Sequence, residues 1–166
     1  MPRDWDRHYS EADTLDWTPS PLLVQIVGLL PPGEALDLAC GPGRNAIYLA
    51  KLGWRVTAVD SSPVAIRLLR ERAQSLPIRA VQADLERGEF TIPEDRYDLV
   101  CDIHYLQRDL FPSIRAGVKP GGVFVGAVRL SGTFALSPGE LRDEFTGWKI
   151  LFYSEAKSAQ IIARRA

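Results

Sequence analysis

Residues 34–45 read Glu-Ala-Leu-Asp-Leu-Ala-Cys-Gly-Pro-Gly-Arg-Asn, and the fold follows from how this stretch is parsed. The apolar run from Ala35 to Ala39 stops at Cys40-Gly41-Pro42-Gly43, and a helical pattern starts near Asn45. That is a strand, a tight glycine turn and a helix. Gly41 and Gly43 can take backbone angles closed to other residues and leave no Cβ in the way of a ligand. Asp37 stands among apolar neighbours, where a carboxylate needs a partner. A second run, Trp54 to Val59, ends in Asp60. A glycine turn after one strand with an acid at the end of the next is the layout of a nucleotide-type cofactor site on a βαβ unit. The turn is not a full G-x-G-x-x-G, because Ala46 holds the third place. Alone, it would read as a tight turn without a ligand. Asp60 and the rest of the chain favour a site.

Outward from that centre, the bulk properties set limits. A length of 166 residues fits one domain, 1–166, with a real core. Residues 1–33 read as an N-terminal lid and helix, and 34–166 as a cofactor-binding core. The net charge of −1 gives no electrostatic case for nucleic acid or for an anionic membrane. The two cysteines, Cys40 and Cys101, lie at strand ends with no metal-ligand spacing, which fits a reduced cytoplasmic chain. The N-terminal residues are charged and polar, unlike a signal peptide, and no run of about 18 apolar residues is present to span a bilayer.

Before the glycine turn, Trp5 and Tyr9 are four apart and would share a helix face. They are either a packing stripe or part of a lid over a cofactor mouth. Ser20-Pro21 reads as a serine-capped helix start, with Leu22, Leu23, Ile26, Val27 and Leu30 on the apolar face. After the turn, a helix runs through Leu52 to a Gly53 cap. Ser61-Ser62-Pro63 starts the next helix, with Ala65, Ile66, Leu69 and Ala73 along one side. Strands are expected over Ile78–Ala83 and Tyr97–Ile103, and a helix between Leu106 and Val118. Lys119-Pro120-Gly121-Gly122 reads as a turn, and Val123–Val128 as a strand buried on both faces. Ser137-Pro138-Gly139-Glu140 reads as a capping box before a short helix ending at Gly147. Trp148–Glu155 and Gln160–Arg164 are joined by a link too short for a helical crossover, so they should pair antiparallel. The result is an α/β fold: a doubly wound, Rossmann-like, seven-stranded, mostly parallel sheet with a C-terminal antiparallel hairpin and helices on both faces. Ligands bind such sheets at the carboxyl ends of the strands, near the reversal of strand order.

With these residues in hand, the chain resembles the class I S-adenosylmethionine-dependent methyltransferases. The resemblance is carried by DLACGPGRNA at 37–46, VTAVDSS at 56–62, QADLE at 82–86, YDLVCDIHYLQR at 97–108 and VKPGG at 118–122. The stretch FALSPGELRDEFTGWKILFYSE is similar to the small-molecule branch that includes the tellurite-resistance-type enzymes. The resemblance implies S-adenosyl-L-methionine as cofactor. It implies that Asp37, Ala39, Gly41 and Gly43 line the methionine end, and that Asp60, followed by Ser61, accepts the ribose hydroxyls. Asp84 and Leu85 would meet adenine, and Cys101 and Asp102 would stand beside the methionine moiety. Each acid has a plainer reading: Asp84 as a turn cap, Asp102 as a solvated strand end. Arg44 is either a surface pair or a contact to the cofactor carboxylate. Asn45 fixes the helix start.

Methyl transfer needs little from the protein beyond alignment and exclusion of water, because the leaving group comes already activated. A soft or anionic nucleophile needs no base, whereas an alcohol or ammonium does. His104 and Tyr9 are the catalytic candidates by position. Almost no insertion separates the fifth strand from the capping box, which fits a small-molecule acceptor. The acceptor site is then open, built by the N-terminal segment or completed by a second subunit, in a monomer or homodimer. The competing readings are a nicotinamide-dependent oxidoreductase and a non-catalytic cofactor-binding module.

Overall fold

The computed structural model describes residues 4–11 and 15–166; residues 1–3 and 12–14 of the expected N-terminal lid lie outside the described residues. The helices are α1 (Trp5–Glu11), α2 (Pro21–Val27), α3 (Arg44–Lys51), α4 (Pro63–Ala73), α5 (Phe111–Gly117) and α6 (Glu140–Glu144). The strands are β1 (Glu34–Leu38), β2 (Arg55–Asp60), β3 (Ile78–Gln82), β4 (Tyr97–Ile103), β5 (Val118–Arg129), β6 (Lys149–Glu155) and β7 (Ser158–Arg164). They form one seven-stranded sheet in the order β3-β2-β1-β4-β5-β7-β6. β1 pairs in parallel with β2 and β4, while β7 runs antiparallel to both β5 and β6. The expected doubly wound sheet and terminal hairpin are both present. Strand order reverses between β1 and β4, and this is where the glycine turn opens.

Alternation along the strands divides the core into two layers. Ala35, Val56, Ala58, Leu99, Cys101, Val125 and Ile162 face one layer, closed by Leu22, Leu23 and Ile26 of α2, Ile47 and Leu49 of α3, and Ile66 and Leu69 of α4. Leu36, Leu38, Val59, Val100, Phe124 and Ile161 face the other, with Phe111 and Ile114 of α5 and Leu141 of α6. No helix lies between β3 and β4. Leu85 and Ile92 of that connection are buried against the second layer instead.

Three local expectations are corrected. Ser20 precedes α2, but its side chain makes no capping bond. Its backbone N–H donates to Asn45 Oδ1 at 2.8 Å, so the head of α2 is tied to the start of α3 by a buried asparagine. The Lys119–Gly122 turn is a bulge within β5: Tyr97 pairs with Val118, Leu99 pairs with Val123, and the surplus residues loop out. A Cβ at Gly122 would lie 2.9 Å from Lys119 O and 3.1 Å from Asp98 O, both on the backbone, so a larger residue would have to shift the bulge. The capping box is half formed. Gly139 takes the left-handed region at φ 81°, so the helix begins at Glu140 and Ser137 does not cap it. Glu140 Oε2 still accepts the Ser137 N–H at 2.8 Å, and Arg108 Nε grips Oε1 at 2.5 Å.

Phe145 shows what locks α6 to the sheet. It is fully buried, stacked on Phe124 at 4.5 Å between ring centroids and set edge-on to Phe111 and Trp148. Phe145→Ala would remove a large buried side chain and three aromatic contacts, a loss of about 3–5 kcal/mol. Urea unfolding should show a lower midpoint with an unchanged slope.

Candidate functional site

The glycine turn has an unusual backbone. Ala39, Gly41 and Gly43 all have positive φ, at 51°, 56° and 96°. Ala39 is the exceptional one, because a left-handed alanine costs roughly 1–2 kcal/mol. The turn is held from within: the Cys40 N–H donates to Val59 O at 2.9 Å and the Gly43 N–H to Cys40 O at 3.1 Å. Gly43 also allows close packing, since a Cβ there would lie 2.2 Å from Leu69 Cδ1 of α4.

Asp60, at the end of β2, accepts the Gly41 N–H on Oδ2 and the Ser62 N–H on Oδ1, each at 2.9 Å. The carboxylate expected to meet two hydroxyls therefore also clamps the glycine turn to the head of α4. Ser61 is exposed beside it. Ser62 accepts the Ala65 N–H on its hydroxyl, capping α4, and donates that hydroxyl to Asp6 of α1. Asp6 was not among the expected site residues. Only the docking of α1 on α4 reveals it, although the short Trp5–Tyr9 helix that carries it was legible. On α1, Trp5 and Tyr9 stack at 5.9 Å, and the Tyr9 hydroxyl lies 2.8 Å from where a Gly41 Cβ would be. Trp5 is 42% exposed and no residue of α1 is buried, while the Tyr9 ring stands next to the glycine turn.

Asp37 and Asp102 lie deeper. Both are 2% exposed, and Asp37 Oδ2 and Asp102 Oδ1 have no hydrogen-bond partner among the described residues. Burial, with Asp60 nearby, pushes the Asp37 carboxyl up to about 7, against the pull of Arg44 and the Ala46 amide. Burial, and then Asp37, hold Asp102 well above the usual carboxylate range. Burial also raises Asp60, opposed by the amides of Ser62 and Gly41. The solvated strand end considered for Asp102 is excluded by its burial. Cys101 pairs in register with Asp37 and is fully buried, its thiol pushed up by burial and by the neighbouring acids.

Along the β3 side, Asp84 Oδ1 accepts the Glu86 N–H at 2.9 Å, the turn-capping role considered for it, and Leu85 is buried. Tyr105 donates its hydroxyl to Gln107 Oε1 at 2.7 Å, and Gln107 Nε2 donates to Leu85 O at 3.2 Å, linking the exits of β3 and β4. A concavity lined by Leu85, Ile92, Gln107 and Leu110 opens there. His104 follows β4 in the left-handed region at φ 65°, held by its N–H to Ala127 O at 2.7 Å. Its imidazole is held below the ordinary value by partial burial and then by the Arg44 and Arg129 guanidiniums. Arg44 donates to Thr18 O at 3.2 Å and stands 3.9 Å from Asp16.

A family model described as a methyltransferase domain matches residues 35–122. Hemagglutinin 1 of Eikenella corrodens is 31% identical over 147 residues, covering 80% of this chain and 49% of that protein. The probable S-adenosyl-L-methionine-dependent methyltransferase TehB of Haemophilus influenzae is 28% identical over 151 residues, covering 80% of this chain and 52% of that protein. The chain spans about half the length of these curated relatives. The crystal structure of H. influenzae TehB superposes with a TM-score of 0.82 at 22% identity, over 97% of this chain and 66% of that one. The Burkholderia thailandensis 1,6-didemethyltoxoflavin-N1-methyltransferase, crystallised with 1,6-didemethyltoxoflavin and S-adenosylhomocysteine, superposes at 0.67 with 22% identity, over 87% of this chain and 76% of that one. At these identities the structural likeness speaks for the fold.

The buried acids have a consequence for stability. A carboxyl raised on folding contributes stability that is fully present below its unfolded pKa, near 3.9, and lost as pH rises through its folded pKa. For Asp37 that window runs from about 4 to about 7. Asp37→Asn should therefore stabilise the ligand-free chain at pH 8 relative to pH 5 by at least about 1.4 kcal/mol, the worth of one pKa unit. Chemical denaturation of both proteins at the two pH values measures the difference.

Proposed function

The chain belongs to the methyltransferase-domain family, and from that premise we propose that it transfers the methyl group of S-adenosyl-L-methionine to a small-molecule acceptor. The observation that carries this reading is the pair of buried, unpartnered carboxylate oxygens on Asp37 and Asp102 beside the left-handed glycine turn. Buried acids without partners call for a cation. A ligand bearing an ammonium and a sulfonium suits them.

In this reading Asp37 faces the ammonium, and Ala39, Gly41 and Gly43 cradle the methionine end. Asp60 takes the ribose hydroxyls on the lone pairs its two amide partners leave, with Ser61 beside it. Asp84 and Leu85 hold the adenine end. Asp102 walls the methionine portion, and Cys101 contributes backbone only, because its thiol is buried in the core. When bound, the cofactor supplies an electrophilic methyl that leaves sulfur in line, its bonding pair staying on sulfur as a thioether. The chain's own part is to align the acceptor and exclude water. Tyr9 closes the turn from above. His104 is kept neutral near pH 7 by burial and its two arginine neighbours, so it can accept a proton from an acceptor that must lose one. The family match favours methyl transfer over the nicotinamide-dependent reading. Among the described residues no helix is long and apolar enough to cross a membrane. A cytoplasmic enzyme, monomeric or homodimeric, completes the proposal.

Titration calorimetry with S-adenosylmethionine, S-adenosylhomocysteine and NAD in parallel tests it. Micromolar binding of the first two and none of NAD is expected; NAD binding alone would overturn it. Asp60→Ala should weaken S-adenosylmethionine binding more than tenfold, from two lost hydroxyl contacts of about 1–1.5 kcal/mol each. The affinity should also climb between pH 5.5 and 8, because a bound cation favours ionised Asp37 and expels its proton. Turnover against an acceptor panel separates an enzyme from a binding module.

A further inference from the structure

On one face of the sheet's carboxyl edge, acids stand on β1 and β2 and an arginine on β5. On β1 and β2, the side chains at this edge that face the α2–α4 layer are Asp37 and Asp60. On β5 the alternation of Val123, Val125 and Ala127 toward that same layer carries Arg129 to the same face at the strand's last position. Arg44 opens α3 on that side. His104 leaves β4 between them, its backbone fixed to Ala127.

These cations are available. Arg129 is exposed and makes no ion pair among the described residues. Arg44 gives one N–H to Thr18 O at 3.2 Å, and its pairing with Asp16 is long, at 3.9 Å, to an acid whose side chain is 72% exposed, so solvent screens it. Both guanidiniums act on the His104 imidazole, so each lies within electrostatic reach of it. A left-handed, non-glycine backbone at His104 is the strained geometry that functional edges retain.

We propose that Arg129, His104 and Arg44 form the acceptor subsite and that the acceptor carries a carboxylate or comparable oxyanion. The proposal rests on the methyltransferase reading and names its substrate class. Guanidinium groups offer paired donors matched to planar oxyanions, and neutral His104 accepts a hydrogen bond from a nucleophile beside the anionic group. The acids on β1 and β2 repel the same anion from the cofactor half, so the polarity of the edge orients the acceptor.

The test uses the full chain saturated with S-adenosylhomocysteine, followed by proton–nitrogen correlation spectra during titration with benzoate and, separately, benzamide. Benzoate should bind at least five-fold more tightly than its neutral counterpart and shift the amides of His104, Arg129 and Arg44. Arg129→Gln, at an exposed position, should abolish the preference, and Arg44→Gln should reduce it. Equal affinities, no binding of either probe, or a benzoate preference that survives Arg129→Gln would each overturn the proposal. The S-adenosylhomocysteine titration is read first in the same sample. A spectrum unmoved by it defeats the methyltransferase reading as well, whereas failure of benzoate in a saturated sample defeats the anionic acceptor alone.

Discussion

The Asp60 carboxylate holds two backbone N–H groups from different parts of the chain, Gly41 after β1 and Ser62 at the head of α4. From Ser62 the connection continues into α4 through its cap and into α1 through Asp6. One buried side chain thus fixes the turn, the following helix and the N-terminal helix relative to each other. Hydrogen bonds from amides favour the ionised carboxylate, while burial and the nearby Asp6 oppose it. The turn's positive-φ residues could not otherwise hold their shape against the preference of an ordinary chain for right-handed angles.

The sheet was legible because its evidence is local. Apolar runs ended by Asp60, by Cys40-Gly41 and by the acids after Val81 and Val100 mark strands without reference to anything distant. The short link before Ser158 forced the antiparallel ending, and the hairpin is there. The misses share a different cause. Ser20 looks like a helix cap in its own sequence, yet Asn45, 25 positions away, takes its N–H. Ser137 looks like half of a box, yet the left-handed Gly139 delays the helix by a turn's start. The glycine pair after Pro120 looks like a free turn, yet β4 holds β5 on both sides of it. Each was decided by a partner that a local window does not contain. For the candidate site, Asp37, Gly41, Gly43 and Asp60 announced themselves by residue type and spacing. Asp6 and Arg129 did not, because a charged residue on a short helix or at a strand end looks like solvated surface until the topology brings it to an edge.

The same edge shows a tension between stability and use. Asp37 and Asp102 are buried with oxygens that no donor satisfies, an arrangement that lowers the stability of the ligand-free chain. Local rules are broken here far more than elsewhere in the core, whose two layers are filled mostly by Leu, Val, Ala and Ile. Such concentrated violations are expected where a fold accommodates something it does not itself contain. The acids and the left-handed turn lie together at the reversal of strand order, while the rest of the sheet carries the structural load.

Cys40 and Cys101 are both buried, and both thiols are held well above their ordinary acidity range. Thiolate is the species that reacts with electrophiles and with disulfides, so neither position presents a reactive sulfur at neutral pH. The folded protein is therefore chemically quiet toward alkylating dyes and mild oxidants. A single cysteine introduced on its surface would be the sole labelling handle, leaving the native sequence intact as a background for attaching a fluorophore or a spin probe.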